Sequence, residues 1–309
     1  MEKIPNMKTL VSVSDLSKED ILKILDYANA FETKKREPYG FAKGKILGLV
    51  FLQESLRTSA SLKSAMLRLG GSWIDFDLSY VKSGDEGLED SVVAVAPLVD
   101  VLGVRGPADI DIRSISKKIK TPIMNGMIGM EHSIGALWYA YTLQQRLGKL
   151  EGLKIGMVGM TKYSRPSHAV YRCLSKLGAH FYEDPVIPDV GAPKELVDEI
   201  TKNGGKYERA KFNGFIGEVD YLFIAEGLPI KGADKNAVEK FNKAYTPFNQ
   251  NMLGKLRNNA VFAYCMPRSL TDGRLSAEKE VDSDKRNISV EMMEKSVFVN
   301  MGILAWFFE

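Results

Sequence analysis

Cysteine is scarce in this sequence. Cys173 and Cys265 are the only two in 309 residues, far apart and each in apolar surroundings, so a disulfide framework is excluded and reduced core thiols are expected. Long apolar runs are missing too. None approaches the roughly 18 to 20 residues that cross a bilayer, and MEKIPNMKTLVSVSDLSKED lacks the apolar core of a signal peptide, so no membrane partner and a cytoplasmic location are expected. Net charge is close to nil at +3 with scattered basic residues, which argues against nucleic acid as a partner, while an anionic substrate needs only a local patch. Neither half carries a Gly-x-Gly-x-x-Gly turn, so a dinucleotide-binding reading is weak. What is present, 45% hydrophobic and 26% charged residues, describes a folded globular chain. Its length suits two domains of about 150 residues each.

Ser17 followed by Asp20 marks a helix start, and ILKILDYANAF at 21 to 31 has apolar residues three and four apart. KILGLVFL at 45 to 52 reads as a buried strand, and Leu62, Ala65, Met66 and Leu69 then recur at helical spacing. There follow a short strand near Ser72 to Phe76, a polar loop SYVKSGDEG at 79 to 87 and an apolar helix from Leu88 to Leu98. VDVLGVR at 99 to 105 is apolar without alternation, the mark of a strand covered on both faces. After another helix, TPIMN at 121 to 125 is a strand and Ser133 to Leu147 a long helix. The second half repeats the plan: strand LKIGMVGM at 153 to 160, helix Ser164 to Leu177, strand and turn AHFYEDP at 179 to 185, helix Lys194 to Lys202, then strands VDYLFIA at 219 to 225 and NAVFAYCMP at 259 to 267. The fold class implied is α/β, with two doubly wound parallel-sheet domains and sites at the carboxyl ends of the strands.

Ser55 to Thr58 fall where the first strand feeds its helix. Unpaired N–H groups of a first turn and the helix dipole favour an anion there, and Ser55, Arg57 and Thr58 add two hydroxyls and a forked cation. A phosphate fits this chemistry. The same residues also read as an N-cap serine beside a solvated arginine, and the rest of the chain has to decide.

FLQESLRTSASLKSAMLRLGG, Phe51 to Gly71, resembles the carbamoyl phosphate signature of the aspartate and ornithine carbamoyltransferase family, the aspartate branch being closer, and the resemblance runs over nearly the whole chain. It implies that Ser55, Arg57 and Thr58 bind the phosphate and that Arg105 reaches both phosphate and carbonyl oxygen. His132, opening HSIGALWYAYTL, aligns with the histidine that donates to that carbonyl. In MTKYSRPSHA at 160 to 169, Arg165 corresponds to the arginine binding the acceptor's α-carboxylate, and His168 reads as structural. Met266 and Pro267, within MPRS at 266 to 269, match the loop whose backbone meets the amino group of both substrates across a cis bond. The loop at 79 to 87 resembles one that crosses to the neighbouring site of a trimer, with Ser79 and Lys82 as the delivered residues. Implied domains are 1–132 for carbamoyl phosphate, joined by the C-terminal helix 288–309 packing back on it, 148–287 for the acceptor, and 133–147 as interdomain helix. Carbamoyl phosphate and an amino-acid-like amine are the implied substrates, with no cofactor, no metal and a homotrimer.

Several positions depart from the pattern. Gly135 and Ser133 stand where the family has glutamine and proline, Gln53 where it has glutamate, and Tyr264 and Cys265 where it has histidine and proline. Glu226 and Leu228 replace the arginine and glutamine that hold an aspartate side chain. A carboxylate facing a carboxylate is repulsive, so Glu226 with Arg165 suggests an acceptor having both a carboxylate and a cationic group. The catalytic set expected is Arg57, Thr58, Arg105 and His132. The competing expectation is a catalytically weakened homologue with a regulatory or structural role.

Overall fold

The computed structural model describes residues 8–225, 232–268 and 275–309. The chain divides into two compact units, one running to Trp138 and including Lys295–Glu309, the other Tyr139–Glu294.

In the first unit, helix α1 (Lys18–Glu32) begins on a capping box in which Ser17 accepts from the Asp20 N–H and Asp20 accepts from the Ser17 N–H. Strand β1 (Ile46–Phe51) leads into α2 (Leu56–Arg68), then β2 (Ser72–Asp75), α3 (Ser79–Ser83), α4 (Leu88–Val95), β3 (Val101–Arg105), α5 (Ile112–Ser116) and β4 (Ile123–Asn125). The four strands are parallel in the order β2-β1-β3-β4, with Phe51 opposite Arg105. Central strands β1 and β3 bury Leu47, Leu49, Val50, Val101, Leu102 and Val104, which is why they read as unbroken apolar runs. Edge strand β2 is exposed along its whole length.

Helix α6 (Ser133–Leu147) carries the chain out of the first unit after Trp138. The second unit then contains β5 (Lys154–Gly159), α7 (Arg165–Ser175), β6 (His180–Asp184), α8 (Lys194–Lys202), β7 (Lys206–Arg209), α9 (Phe212–Phe215), β8 (Tyr221–Ala225), α10 (Lys235–Ala244), α11 (Gln250–Leu253) and β9 (Val261–Tyr264). Its parallel sheet has the order β7-β6-β5-β8-β9. The final helix, α12 (Ser289–Phe308), re-enters the first unit at Lys295. There Trp306 Nε1 donates to Asp20 Oδ1 at 2.9 Å, and Val299, Ile303 and Leu304 are fully buried. Each such side chain contributes about 1.5–3 kcal/mol of burial, so α12 is part of the first unit's core, as the resemblance implies.

Two local expectations are corrected. The segment 79 to 87 is not all loop: Ser79–Ser83 forms α3, seeded by Asp77, whose carboxylate accepts from the Ser79 N–H at 2.9 Å, and stopped at Gly84 with φ +89°. Cys173 is buried, but Cys265 is only half-buried, so just one of the thiols belongs to the core. Among the described residues no helix is long and apolar enough to cross a membrane.

Candidate functional site

In an open parallel sheet, ligands gather where strand order reverses, at the carboxyl ends of the strands. In the first unit that point lies at the paired ends of β1 and β3, Phe51 beside Arg105. The loop leaving β1 turns into α2 at Ser55, whose Oγ accepts from the Thr58 N–H at 3.1 Å. Ser55 therefore is an N-cap, and its own O–H still has a proton to donate. The two readings of this serine are compatible. Arg57, on the same turn, is exposed, while Thr58 is buried at 3% exposure.

Arg105 ends β3 half-buried and donates from Nη1 to the Gly126 carbonyl at 3.0 Å. Gly126 also abuts Thr58: a Cβ at this position would lie 3.1 Å from Thr58 Cγ2 and 3.2 Å from the Val104 carbonyl. A side chain here would push the loop off both by a few tenths of an ångström, and glycine lets it close without that shift. Asn125 holds that loop, accepting through Oδ1 from the Met127 and Ile128 N–H groups and donating through Nδ2 to the Val11 and Ile128 carbonyls. Ser55, Thr58 and Arg105 are thus brought together, around a glycine and an asparagine that the sequence reading passed over. A buried Asn-Gly pair directly after an apolar strand was the available signal.

His132 is buried at 9% exposure, with its ring edge-on to Trp138 at 5.3 Å. A Cβ at Gly135 would stand 2.9–3.1 Å from three atoms of the imidazole. Glycine here therefore does more than remove a glutamine, because it makes room for the His132 ring over the first turn of α6. Ser79 and Lys82 lie exposed on α3.

In the second unit, Arg165 opens α7, where Ser164 is the N-cap and accepts from the Ser167 N–H at 3.3 Å. Burial lowers the pKa of this guanidinium, which still stays cationic at neutral pH. Two anchors fix the turn before it. Thr161 donates to Glu183, a carboxylate with no exposure that also accepts from Tyr171 Oη at 3.2 Å, the Ala192 N–H at 2.9 Å, Tyr207 Oη and Arg209 Nη2 at 3.3 Å. His168 Nε2 donates to the Lys162 carbonyl at 3.0 Å, which sets the tautomer because a carbonyl only accepts.

Burial, assisted by Arg172, pushes the His168 pKa down to about 4. The unfolded chain takes up a proton near 6.5 and the folded chain near 4, so acidification in that window favours unfolding. This histidine alone should lower stability by about 2 kcal/mol between pH 7 and pH 5. His168→Gln, which keeps a donor for the Lys162 carbonyl, is expected to remove that increment from the pH 7 to pH 5 difference in urea unfolding. An unchanged difference would show that His168 titrates normally.

The Met266–Pro267 peptide is cis, as the resemblance implies. The turn containing it is tied across its two flanks. Tyr264 Oη donates to Asp282 Oδ1 at 2.6 Å and accepts from Arg268 Nη2 at 2.8 Å, Arg268 also pairs with Asp282, and its guanidinium lies 4.3 Å from the centre of the Tyr264 ring. The tyrosine that replaces the family's histidine therefore acts as one post of this clamp. Met266 packs on the apolar cluster containing Phe248, Leu253 and Phe262. A cavity of about 270 Å³ opens nearby in the same unit, its walls including Val158, Asp184, Phe212 and Lys255, and none of the expected acceptor residues lines it. Glu226 and Leu228 lie outside the described residues.

Residues 8–145 match the family model described as "Aspartate/ornithine carbamoyltransferase, carbamoyl-P binding domain". The aspartate carbamoyltransferase catalytic subunit of Thermococcus kodakarensis is 30% identical, over 96% of this chain and 96% of that one. That of Thermococcus onnurineus is 33% identical over 84% and 86%. Among solved structures, aspartate transcarbamoylase from Trypanosoma cruzi in complex with carbamoyl phosphate and aspartate superposes with a TM-score of 0.84 at 25% identity, covering 97% of this chain and 96% of that one. The catalytic subunit from M. jannaschii gives 0.80 at 28% identity, covering 97% and 98%.

Proposed function

The chain belongs to the aspartate/ornithine carbamoyltransferase family, and from that premise we propose that it transfers the carbamoyl group of carbamoyl phosphate to the amine of an amino-acid-like acceptor other than aspartate. The observation that carries the donor half is the joint placement of Ser55, Thr58 and Arg105 at the reversal point of the first sheet, with Arg57 on the same helical turn. These groups would clamp the phosphate and present the carbonyl carbon to a neutral amine, so that much of the rate comes from positioning. Attack forms a tetrahedral oxyanion that Thr58, Arg105 and His132 would stabilise. Phosphate then departs and can itself accept the amine's proton.

On the acceptor side, Arg165 would hold the α-carboxylate, and the backbone of Met266 and Pro267 would meet the amino group. Glu226 carries the departure from aspartate, since an anion at that position repels a second carboxylate and attracts an ammonium or guanidinium. A homotrimer completes the proposal, with Ser79 and Lys82 delivered to a neighbouring subunit. Its support is their exposure on α3, together with the exposed Trp73 and Ile74 on the edge strand β2, a surface of the kind that pairs with another chain.

The test is incubation with carbamoyl phosphate and a panel of amines, reading phosphate release and the mass of the carbamoylated product. A diamino acid is expected to be used and aspartate to be poor. Glu226→Arg with Leu228→Gln should reverse that order, because specificity is a difference of two affinities. Efficient use of aspartate by the unmodified protein would remove Glu226 from the site. Phosphate binding without transfer to any amine would favour the catalytically weakened homologue.

A further inference from the structure

We propose that Asn300 is a positioning residue of the transfer site, holding Thr58 and His132 in register through one buried chain of hydrogen bonds; the proposal rests on the reading of the site given above. Asn300 is a polar residue in the apolar stretch of α12, with no exposure and with buried Val299, Met301 and Ile303 around it in sequence. A buried amide is tolerated only when both ends are matched. Here they are. Asn300 Oδ1 accepts from Trp138 Nε1 at 2.9 Å, and Nδ2 donates to Ser61 Oγ at 2.9 Å. Because the indole N–H can only donate, the amide orientation follows from Trp138 and leaves the NH2 group for Ser61.

Ser61 passes the interaction on, its Oγ donating to the Thr58 carbonyl at 3.1 Å. Donation thus runs in one direction from Trp138 through Asn300 and Ser61 to Thr58, and each bond polarises the next. At one end, Thr58 is fixed twice, since its N–H is held by Ser55 and its carbonyl by Ser61. At the other end the Trp138 ring is held in the orientation that meets His132 edge-on, at an interplanar angle of 74°. The imidazole lies between that wall and Gly135, where a side chain would displace it. Two of the proposed oxyanion donors are therefore set by the same amide, which itself touches neither reacting group.

The experiment uses the full chain. Asn300→Leu removes both bonds at similar volume and is expected to lower kcat by about 10- to 100-fold, the size of effect a misplacement near 1 Å produces. The KM for the acceptor should change less than about twofold, since Asn300 acts only in the unit holding the donor. A variant that melts earlier yet keeps kcat within about twofold would make Asn300 merely structural and overturn the proposal. If Asn300→Leu fails to fold, Trp138→Phe cuts the first link of the chain and Ser61→Ala the two links that meet at its hydroxyl. Both are expected to lower kcat, and the double variant should lose less than the product of the two, because they interrupt one chain. Independent, multiplying effects would overturn the coupling. Should the wild type transfer to no acceptor, the reading of the site fails first. Inorganic phosphate then decides, with Ser61→Ala expected to weaken its binding several-fold and unchanged affinity counting against the relay.

Discussion

Arg105→Ala is expected to lower carbamoyl transfer by about 100- to 1,000-fold, the cost of losing one strong donor to a developing oxyanion, about 2.7–4 kcal/mol. The side chain ends β3 and is steered by the Gly126 carbonyl, so the guanidinium is aimed before any ligand arrives. Such preorganisation makes it worth more at the transition state than a flexible surface cation. Steady-state kinetics with carbamoyl phosphate read the loss directly. A thermal scan gives a second handle, since inorganic phosphate at 100 times its Kd should add about 2.7 kcal/mol to the wild type and much less to the variant. Reassociating Arg105→Ala subunits with Lys82→Ala subunits, each inactive, should restore part of the activity if sites are completed by a neighbour. A variant within tenfold of wild type would remove Arg105 from the reacting centre, and no recovery on mixing would remove the shared site.

In the second unit the largest stability effect is expected at Glu183. Glu183→Ala should destabilise by about 3–5 kcal/mol, because removing one member of a buried ionic cluster leaves its partners desolvated and unmatched. Those partners are the hydroxyls of Thr161, Tyr171 and Tyr207 and the Ala192 N–H, while Arg209, whose side chain is 44% exposed, pairs with Glu183 from the solvent side and stays hydrated without it. Burial, followed by the nearby Glu183 charge, raises both tyrosines well above their ordinary pKa, so they remain donors throughout the working range. Denaturant unfolding reads the change as a shift of midpoint at constant slope. Glu183→Gln keeps the volume but turns one acceptor into a donor facing donors, and it should fall nearly as far. A loss below about 1 kcal/mol in both variants would mean that water replaces the carboxylate. Because Thr161 starts the turn that ends at Arg165, the acceptor KM should rise as well.

The alternation of strand and helix was readable because the central strands are covered on both faces and show as runs such as VDVLGVR and LKIGMVGM. Strand β7, by contrast, is three charged residues and one tyrosine at a sheet edge, with the charged three exposed, and so short a stretch with a single half-buried aromatic reads as a loop. Helix α10 had a legible cap in Asp234, which accepts from the Asn236 and Ala237 N–H groups, yet its many lysines masked the apolar face formed by Ala237 and Phe241. At the site, the residues proposed to meet the phosphate stood out in the sequence, since Ser55, Arg57, Thr58 and Arg105 sit at strand ends where periodicity stops. The residues that hold them were not. Asn300 meets Ser61 across 239 positions of sequence and Glu183 meets Thr161 across 22, and a single polar letter in an apolar run gives no hint of its partner.

Discontinuity of the first unit affects how the protein is made. Residues up to Trp138 leave the ribosome without Lys295–Glu309, and hence without Asn300 to seat Ser61 or Trp306 to seat Asp20. The chain of the second unit is continuous and is delivered whole in the meantime, which takes roughly 8 to 30 s at 5–20 residues per second. The later-started unit thus has its whole chain before the first unit does, and the usual N-terminal-first order of folding during synthesis is expected to be inverted. Throughout that interval the strands β1 to β4 wait with the α12-facing side of α1 and α2 uncovered, and transiently exposed apolar surface of that kind is what invites aggregation. Protease probing of ribosome-stalled chains, with and without the last fifteen residues, would register the change as late protection of α1 and α2.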